Sequence, residues 1–180
     1  MEKQFYVREG RRFVKVAPSQ KIKDCTGLYY NSDGSFTKSP KDEKHPLLCV
    51  DQSDTVYTLC KMIPHKGVNW FQAMELAKEW NLVSFPSLSY LPTRVQLLSA
   101  ALKYENIFKK AVEDSGYQRF WTRDQRDEYY AWSVILDESI FGVVDYYVKY
   151  FGGSSVLPFA AFVFVDIPIY EQKETNSTVR

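Results

Sequence analysis

The sequence predicts an α+β fold, with two helices packed on a mainly antiparallel sheet and β-hairpins before them. Three observations predict this class. Short β-prone runs separated by turn residues fill the region before Gly67, two capped helical regions follow, and strand-like runs return after residue 120. This order lacks alternating strand and helix units, so an antiparallel sheet is favoured over a parallel α/β arrangement.

Composition limits the classes of partner. A chain of 180 residues, 45% of them hydrophobic, suffices for one domain with a sizeable core. The formal net charge of +1 provides no field that would attract nucleic acid or an anionic membrane. The amino terminus has no apolar signal segment, and no run reaches the roughly 18 apolar residues that span a bilayer. We therefore expect no nucleic-acid partner and no membrane insertion, and the cytoplasm or a phage particle rather than secretion through a cleaved signal.

Two β-hairpins are predicted near the amino terminus. Gly10 allows a tight turn in the first, and Asp33-Gly34 tolerates the positive φ angles of the second turn. The paired runs are 4–7 with 12–16 and 28–30 with 35–37, and further strands are expected at 47–50 and 55–63.

The first helix is predicted to begin after Asn69. The Asn69 side chain can cap the first turn, and Gln72 can return a hydrogen bond to the Asn69 amide. Apolar side chains recur at helical spacing and define one buried stripe. The stripe consists of Trp70, Ala73, Met74 and Ala77.

The second helical region is predicted to begin after Thr93, which can form the same capping box with Gln96. A break or bend is expected near Tyr104, and Gly116 can end the region in the left-handed conformation. The expected buried face comprises Val95, Leu98, Ala101 and Leu102, widened by Leu97 and Ala100, with a further helical run from Ile107 to Val112.

The last part of the chain is predicted to return to strands. The charged segment 123–128 is expected to be an exposed loop, because runs of mixed charge are usually solvated. The strand after it carries its larger side chains on one face, namely Tyr130, Trp132, Val134 and Leu136. The apolar run 159–165 is expected to be a central strand. We assign 1–66 to an N-terminal hairpin region, 67–170 to the core that forms one compact unit with it, and 171–180 to a flexible tail.

Neither the cysteines nor the histidines predict a metal or redox site. Cys25, Cys49 and Cys60 are odd in number and widely spaced, which favours reduced, buried thiols over a disulfide framework. His45 and His65 lie beside prolines without a matching carboxylate cluster, which favours surface or turn positions over metal binding. No cofactor is expected.

From Gly67 onward the order of these features resembles the bacterial and phage form of the C-type lectin-like fold. This branch includes formylglycine-generating-enzyme-like domains and the variable receptor-binding proteins of phage. The pieces that carry the resemblance are Trp70 with Ala73 and Ala77, Leu91-Pro92-Thr93, Phe120-Trp121-Thr122, Ala131-Trp132, Asp145-Tyr146-Tyr147 with Lys149-Tyr150, and the last apolar strand. Upstream, residues 27–35 are similar to the strand, turn and strand that often precede such domains, so the resemblance covers roughly residues 27–167.

The resemblance, with its departures, implies a binding role without calcium. The calcium-dependent sugar site of animal lectins uses Glu-Pro-Asn or Gln-Pro-Asp with Trp-Asn-Asp, and this sequence contains none of them. The oxidase branch uses a late cysteine pair, whereas no cysteine follows Cys60. Relatives commonly carry an arginine in the last strand, where this chain has Leu157-Pro158-Phe159. The sequence also has no P-loop, nucleophile elbow or His-Glu-x-x-His motif, so we name no catalytic residue.

The function expected is recognition of a glycan or protein ligand, in an adhesion role. Arginine and tyrosine supply large contact areas with polar ends, which singles out two segments. The candidate contacts are Arg123, Asp124 and Arg126 in the charged segment, and Tyr146, Tyr147, Tyr150 and Phe151 in the aromatic segment. The alternative for the tyrosines is that they pack on the sheet or face water singly.

Two other classes of function stay open from the sequence. A structural or assembly subunit of a bacterial surface or phage particle would pair its apolar strands into a homo-oligomer, although a buried core explains those strands equally well. An enzyme of unknown type would need carboxylates such as Asp124 and Glu128 in the right geometry. A contiguous exposed aromatic patch would separate recognition from tyrosines that pack on the sheet or face water singly, and a deep pocket holding a carboxylate of raised pKa would favour an enzyme.

Overall fold

The computed structural model describes residues 5–9, 12–16, 24–31, 35–42, 46–53, 56–62, 65–79 and 88–163. The strands are β1 Phe5–Glu9, β2 Arg12–Val16, β3 Tyr29–Tyr30, β4 Phe36–Thr37, β5 Leu47–Gln52, β6 Val56–Lys61, β7 His65–Val68, β8 Leu88–Tyr90, β9 Arg119–Gln125, β10 Tyr130–Ile135, β11 Val143–Val148, β12 Ser154–Val156 and β13 Phe159–Val163. The helices are α1 Trp70–Glu79, α2 Arg94–Lys103 and α3 Glu105–Ser115. The predicted tail 171–180 and His45 lie outside the described residues.

Most of the described strands belong to two sheets. The first is antiparallel throughout and has the order β4-β3-β5-β6-β13-β8. The second has the order β11-β10-β9-β12-β7, in which β12 runs parallel to β9 and the other neighbours are antiparallel. The predicted α+β class and mainly antiparallel pairing are therefore confirmed, with two such sheets where one was expected.

The predicted hairpins and the central strand are found in the positions expected. β1 pairs with β2 in a hairpin of their own, and β3 pairs with β4 at one edge of the six-stranded sheet. β13 lies inside that sheet, where Phe159 is opposite Cys60 on β6 and Tyr90 on β8. The six-stranded sheet thus takes strands from both sides of residue 66.

Both predicted capping boxes are present. Asn69 and Gln72 exchange hydrogen bonds of 2.9 and 3.1 Å at the start of α1, and Thr93 and Gln96 exchange bonds of 3.1 and 3.0 Å at the start of α2. In each pair a side-chain oxygen accepts from an otherwise unpaired amide of the first turn. These contacts fix where the two helices begin.

The described part of the chain has three helices, so the expectation of two is corrected. Tyr104 has φ −122° and ψ 42°, which is outside the helical region, and it separates α2 from α3. Of the break or bend predicted near Tyr104, the structure has a break between two helices. α3 ends as predicted at Gly116, whose φ of 70° is left-handed.

The buried face of α2 is narrower than the predicted one. Leu97, Ala100 and Ala101 of the predicted face are buried, whereas Val95 and Leu102 are exposed. Val95 and Leu102 also fit spacings of three and four, so the periodicity alone does not separate them from the buried residues. Leu97, Ala100 and Ala101 are buried because they pack in the central apolar cluster.

Three apolar clusters hold the described fold together. The central cluster packs Leu97 and Phe108 of the helices between the two sheets, against Phe159 of one and Phe120 of the other. A second cluster packs α1 on the opposite face of the five-stranded sheet, and a third covers the far face of the six-stranded sheet. None of the described helices has the length and apolar character needed to cross a membrane.

Candidate functional site

The charged segment after Trp121 is only partly a loop. β9 continues through Arg123 and Asp124 to Gln125, which lies opposite Ala131 of β10 beyond a β-bulge. The exposed loop is confined to residues 126–129, so the prediction of a loop from residue 123 is wrong over its first three residues. The reason is cross-strand pairing with β10, which overrides the local preference of charged residues for loops.

Five side chains meet where this loop joins the sheet, and we call them the arginine–aromatic cluster: Arg94, Arg126, Tyr130, Trp132 and Tyr146. The Cζ atom of Arg126 lies 3.7 Å from the centre of the Tyr146 ring, and that of Arg94 lies 4.5 Å from the Trp132 ring. The Tyr146 ring meets Tyr130 and Trp132 edge to face, with ring centres 5.5 and 5.8 Å apart. Two guanidinium groups therefore stack on one continuous set of rings.

Strand register explains how the three rings come together. Trp132 on β10 lies directly opposite Tyr146 on β11, and Tyr130 precedes Trp132 by two residues, so all three share one face of the sheet. Arg94 is the first residue of α2, and its backbone amide donates to Asp124 Oδ2 at 2.7 Å. This bond attaches the start of α2 to β9 and brings Arg94 to Trp132.

The cluster presents cationic groups that have no carboxylate partner among the described residues. Among the described residues, ion pairs join Lys78 to Glu75, Lys109 to Glu105 and Arg119 to Asp145. None of these pairs involves Arg94 or Arg126. Arg126 is exposed, Arg94 is half-buried, and Tyr146 is 41% exposed. A guanidinium that lies over a ring and forms no ion pair has N–H donors for an anion such as a carboxylate.

A buried lysine supports the loop that carries Arg126. Lys149 is only 2% exposed, and its Nζ donates to Gln125 Oε1 at 2.8 Å and to the carbonyl oxygens of Asp127 and Glu128 at 2.6 and 3.2 Å. Its ammonium also lies 5.0 Å from the centre of the Trp70 ring. The 126–129 loop is therefore hydrogen-bonded to the residue that follows β11, and that residue lies against Trp70 of α1.

The other predicted aromatic residues face elsewhere. Tyr147 follows Tyr146 in β11 and so points to the opposite face, where its ring centre lies 6.1 Å from Trp121 and 6.0 Å from Phe151. Tyr150 is 67% exposed and its ring centre lies 5.3 Å from that of Phe71 on α1. We call the exposed residues Phe71, Tyr150 and Phe151 the aromatic patch.

The seven predicted contact residues thus divide between surfaces. Arg126 and Tyr146 belong to the arginine–aromatic cluster, and Asp124 supports it through the amide of Arg94. Arg123 instead lies 5.9 Å from the Tyr90 ring; burial raises the pKa of that tyrosine, and the positive charge of Arg123 acts in the opposite direction. Tyr147, Tyr150 and Phe151 lie on the side of α1.

Three residues of the cluster were missed from the sequence. The alternation along the strand predicts that Tyr130 and Trp132 share one face. No feature of the sequence predicts that Tyr146 lies opposite Trp132. Arg94 gave no signal, because its position depends on the contact between the start of α2 and Asp124.

The cysteines are free and buried, as predicted. Burial raises the pKa of Cys49 to about 12 and also raises that of Cys60, so both thiols stay protonated near neutral pH. Within the part of the chain that the structure describes, no three histidine, cysteine, aspartate or glutamate residues are grouped as ligands of a metal would be.

Comparison with known proteins adds no relative from which a role could be transferred. No model of a known protein family matches this chain, and no curated protein matches it. The C-type lectin-like assignment therefore stays a prediction, and the function is argued from the geometry of the cluster.

Proposed function

We propose that this chain is a non-enzymatic recognition module of the C-type lectin-like type, which binds a glycan or protein ligand without calcium through the arginine–aromatic cluster. The observation that carries the proposal is the stacking of Arg126 on Tyr146 at 3.7 Å on an exposed surface. Tyrosine, tryptophan and arginine are the residues that most often dominate binding energy at protein interfaces. The cluster concentrates all three.

Preorganisation supports a binding role for the cluster. The Asp127 side chain accepts hydrogen bonds of 2.8 Å from the amides of Tyr129 and Tyr130, and Lys149 holds the loop carbonyls from beneath. The Arg126 amide donates to the Tyr130 carbonyl at 3.0 Å. A loop fixed in this way loses little conformational entropy when a ligand binds to Arg126.

We expect Arg126→Ala and Tyr146→Ala each to weaken the binding of the module's ligand by roughly tenfold or more. Glycan and peptide arrays probed with the labelled wild-type protein would provide the ligand, and titration calorimetry would measure its affinity for each variant. Both side chains are exposed, so melting temperatures are expected to stay close to that of the wild type.

Tyr150→Ala is the matched control, because it also removes an exposed tyrosine but on the side of α1. Unchanged affinity in this control, with loss in the two cluster variants, supports the proposal. Loss in Tyr150→Ala together with unchanged affinity in Arg126→Ala would contradict it and would move the site to the aromatic patch.

A structural or assembly role is the second candidate, and the aromatic patch is the observation that favours it. Contiguous exposed aromatic residues such as Phe71 and Tyr150 are typical of protein contact surfaces. Light scattering from the proteins prepared for the arrays separates the candidates. Self-association that is lost in Tyr150→Ala and kept in Arg126→Ala would favour assembly.

A further inference from the structure

β11 is the last strand of the five-stranded sheet, beside the arginine–aromatic cluster, and no described strand pairs with its outer side. The Lys149 amide donates inward to the Tyr129 carbonyl at 2.9 Å, and inward and outward amides alternate along an antiparallel strand. The amides of Val144, Tyr146 and Val148 therefore point outward, away from β10. The Tyr146 amide donates to Asp145 Oδ1 at 2.8 Å, and the Val148 carbonyl accepts from the Phe151 amide at 3.1 Å, so the amides of Val144 and Val148 are the outward donors on which strand addition relies.

We propose that this edge binds an acidic peptide in extended conformation, which adds as a further strand beside β11 and places a carboxylate against Arg126. The inference rests on the proposed recognition function and specifies its ligand. Directly opposed residues of neighbouring strands have Cβ atoms about 4.5–5.5 Å apart. A glutamate opposite Tyr146 would therefore be within reach of the guanidinium that stacks on that ring.

Charge complementarity selects an anionic side chain. Arg126 and Arg94 have no carboxylate partner among the described residues, and Asp124 already accepts a hydrogen bond from the amide of Arg94. A guanidinium offers parallel N–H donors to a carboxylate in a two-pronged arrangement. A carboxylate of the ligand would pair with guanidinium groups that form no ion pair with a described carboxylate.

The stacking favours a peptide over a glycan. Sugars are commonly held against the flat faces of aromatic rings, but Arg126 covers a face of Tyr146 and Arg94 covers a face of Trp132. An extended peptide needs only the outward backbone groups of β11 and the guanidinium edges. Strand addition to a sheet edge is a recurring mode of peptide recognition.

A second copy of the chain would not satisfy the same site. On the face of Tyr146, β11 carries Val144 and Val148, so a paired β11 would bring apolar side chains rather than a carboxylate to Arg126. Asp145 precedes Tyr146 on the other face; its Oδ2 accepts from Arg119 at 3.0 Å and its Oδ1 from the Tyr146 amide at 2.8 Å. Self-pairing of β11 therefore leaves Arg126 without an anion.

The test uses a library of nine-residue peptides with glutamate at alternate positions and the other positions varied. Fluorescence anisotropy selects the tightest peptide, which is then remade with glutamine for glutamate and, separately, with N-methylated amides along one edge. We expect each remade peptide, and the Arg126→Ala variant with the original peptide, to bind roughly tenfold more weakly or worse. Tyr150→Ala is expected to bind the original peptide as the wild type does.

Amide hydrogen exchange checks the mode of binding. The exchange rates of the Val144 and Val148 amides are expected to fall several-fold when the peptide is bound, because these amides gain a partner. The Tyr147 amide is the internal control, since it already points towards β10 and should change little. Binding without slower exchange at Val144 and Val148 would overturn strand addition.

Other outcomes separate this inference from the function on which it rests. Three results would each contradict binding of an acidic peptide to this edge. They are equal affinity for the glutamate and glutamine peptides, no binding across the library, and dimerisation that protects the Val144 amide. If the array ligand is then a glycan whose binding is lost in Arg126→Ala, the recognition function stands without the peptide. If no array ligand depends on Arg126, the recognition function fails as well.

Discussion

Burial of a lysine ammonium costs several kcal/mol unless its protons are hydrogen-bonded. Lys149 meets this requirement with a glutamine side chain and two backbone carbonyls of the 126–129 loop. Without the ammonium, these inward-facing carbonyl groups would lose the donor that satisfies them. The residue therefore acts on the arginine–aromatic cluster indirectly, by positioning the loop on which Arg126 lies.

We expect Lys149→Met to lower the free energy of unfolding by about 1–3 kcal/mol, because the methionine fills the space but leaves inward-facing carbonyl groups without a donor. Chemical denaturation measures the change. Lys78→Met is the matched control, since Lys78 lies on the surface of α1 and forms only an exposed pair with Glu75, and we expect a change within about 0.5 kcal/mol. Equal stability of the two variants would show that Lys149 does not hold the loop.

Burial of the Cys49 thiol should make the stability of the protein depend on pH in the alkaline range. Its pKa rises from 9.0 to about 12, chiefly through burial. The unfolded chain therefore releases this proton at lower pH than the folded chain, so the contribution of the thiol to stability is complete below pH 9 and is lost as the pH approaches 12. We expect the free energy of unfolding of Cys49→Ala to fall less steeply than that of the wild type across this window. Parallel curves would contradict the account.

For single elements, nearby residues are sufficient to predict where a helix begins. They are not sufficient to predict which face of the helix is buried. The capping boxes at Asn69 and Thr93 are determined by residues three apart, and both are found as predicted. The face of α2 is determined by the sheets that meet the helix, which a helical period does not specify. Leu97 is buried and Val95 exposed for that reason.

β7 lies close to the turn before β12, because Gly67 approaches Gly152. A Cβ atom on Gly67 would lie 2.7 Å from the carbonyl oxygen of Gly152, closer than such atoms approach without a backbone shift. We expect Gly67→Ala to destabilise the protein by roughly 1–3 kcal/mol, measured by thermal or chemical unfolding. Gly152→Ala is the matched control: no atom lies within 4 Å of its Cβ position, so we expect a neutral or slightly stabilising effect. The reverse order would show that β7 does not depend on this close approach.

For the whole molecule, the class of fold is predictable from the sequence, whereas the arginine–aromatic cluster is predictable only in part. Hydrophobic period and turn residues are local, and they predict the α+β class and the antiparallel pairing. The cluster depends on which strands become neighbours and on their register, which places Trp132 opposite Tyr146. A sequence segment does not contain that information, so Tyr146 was grouped with Tyr147 although adjacent strand residues point to opposite faces.

If ligands bind at the arginine–aromatic cluster, the side-chain nitrogen atoms of its residues must respond to the ligand. In a ¹⁵N NMR titration of the wild-type protein with its tightest array ligand, the Arg126 Nε and Trp132 Nε1 signals report on the cluster itself. We expect both signals to shift in proportion to the fraction bound, while the backbone amides of Phe71 and Tyr150 stay in place. Saturation of the protein without movement of the Arg126 and Trp132 signals would contradict binding at the cluster.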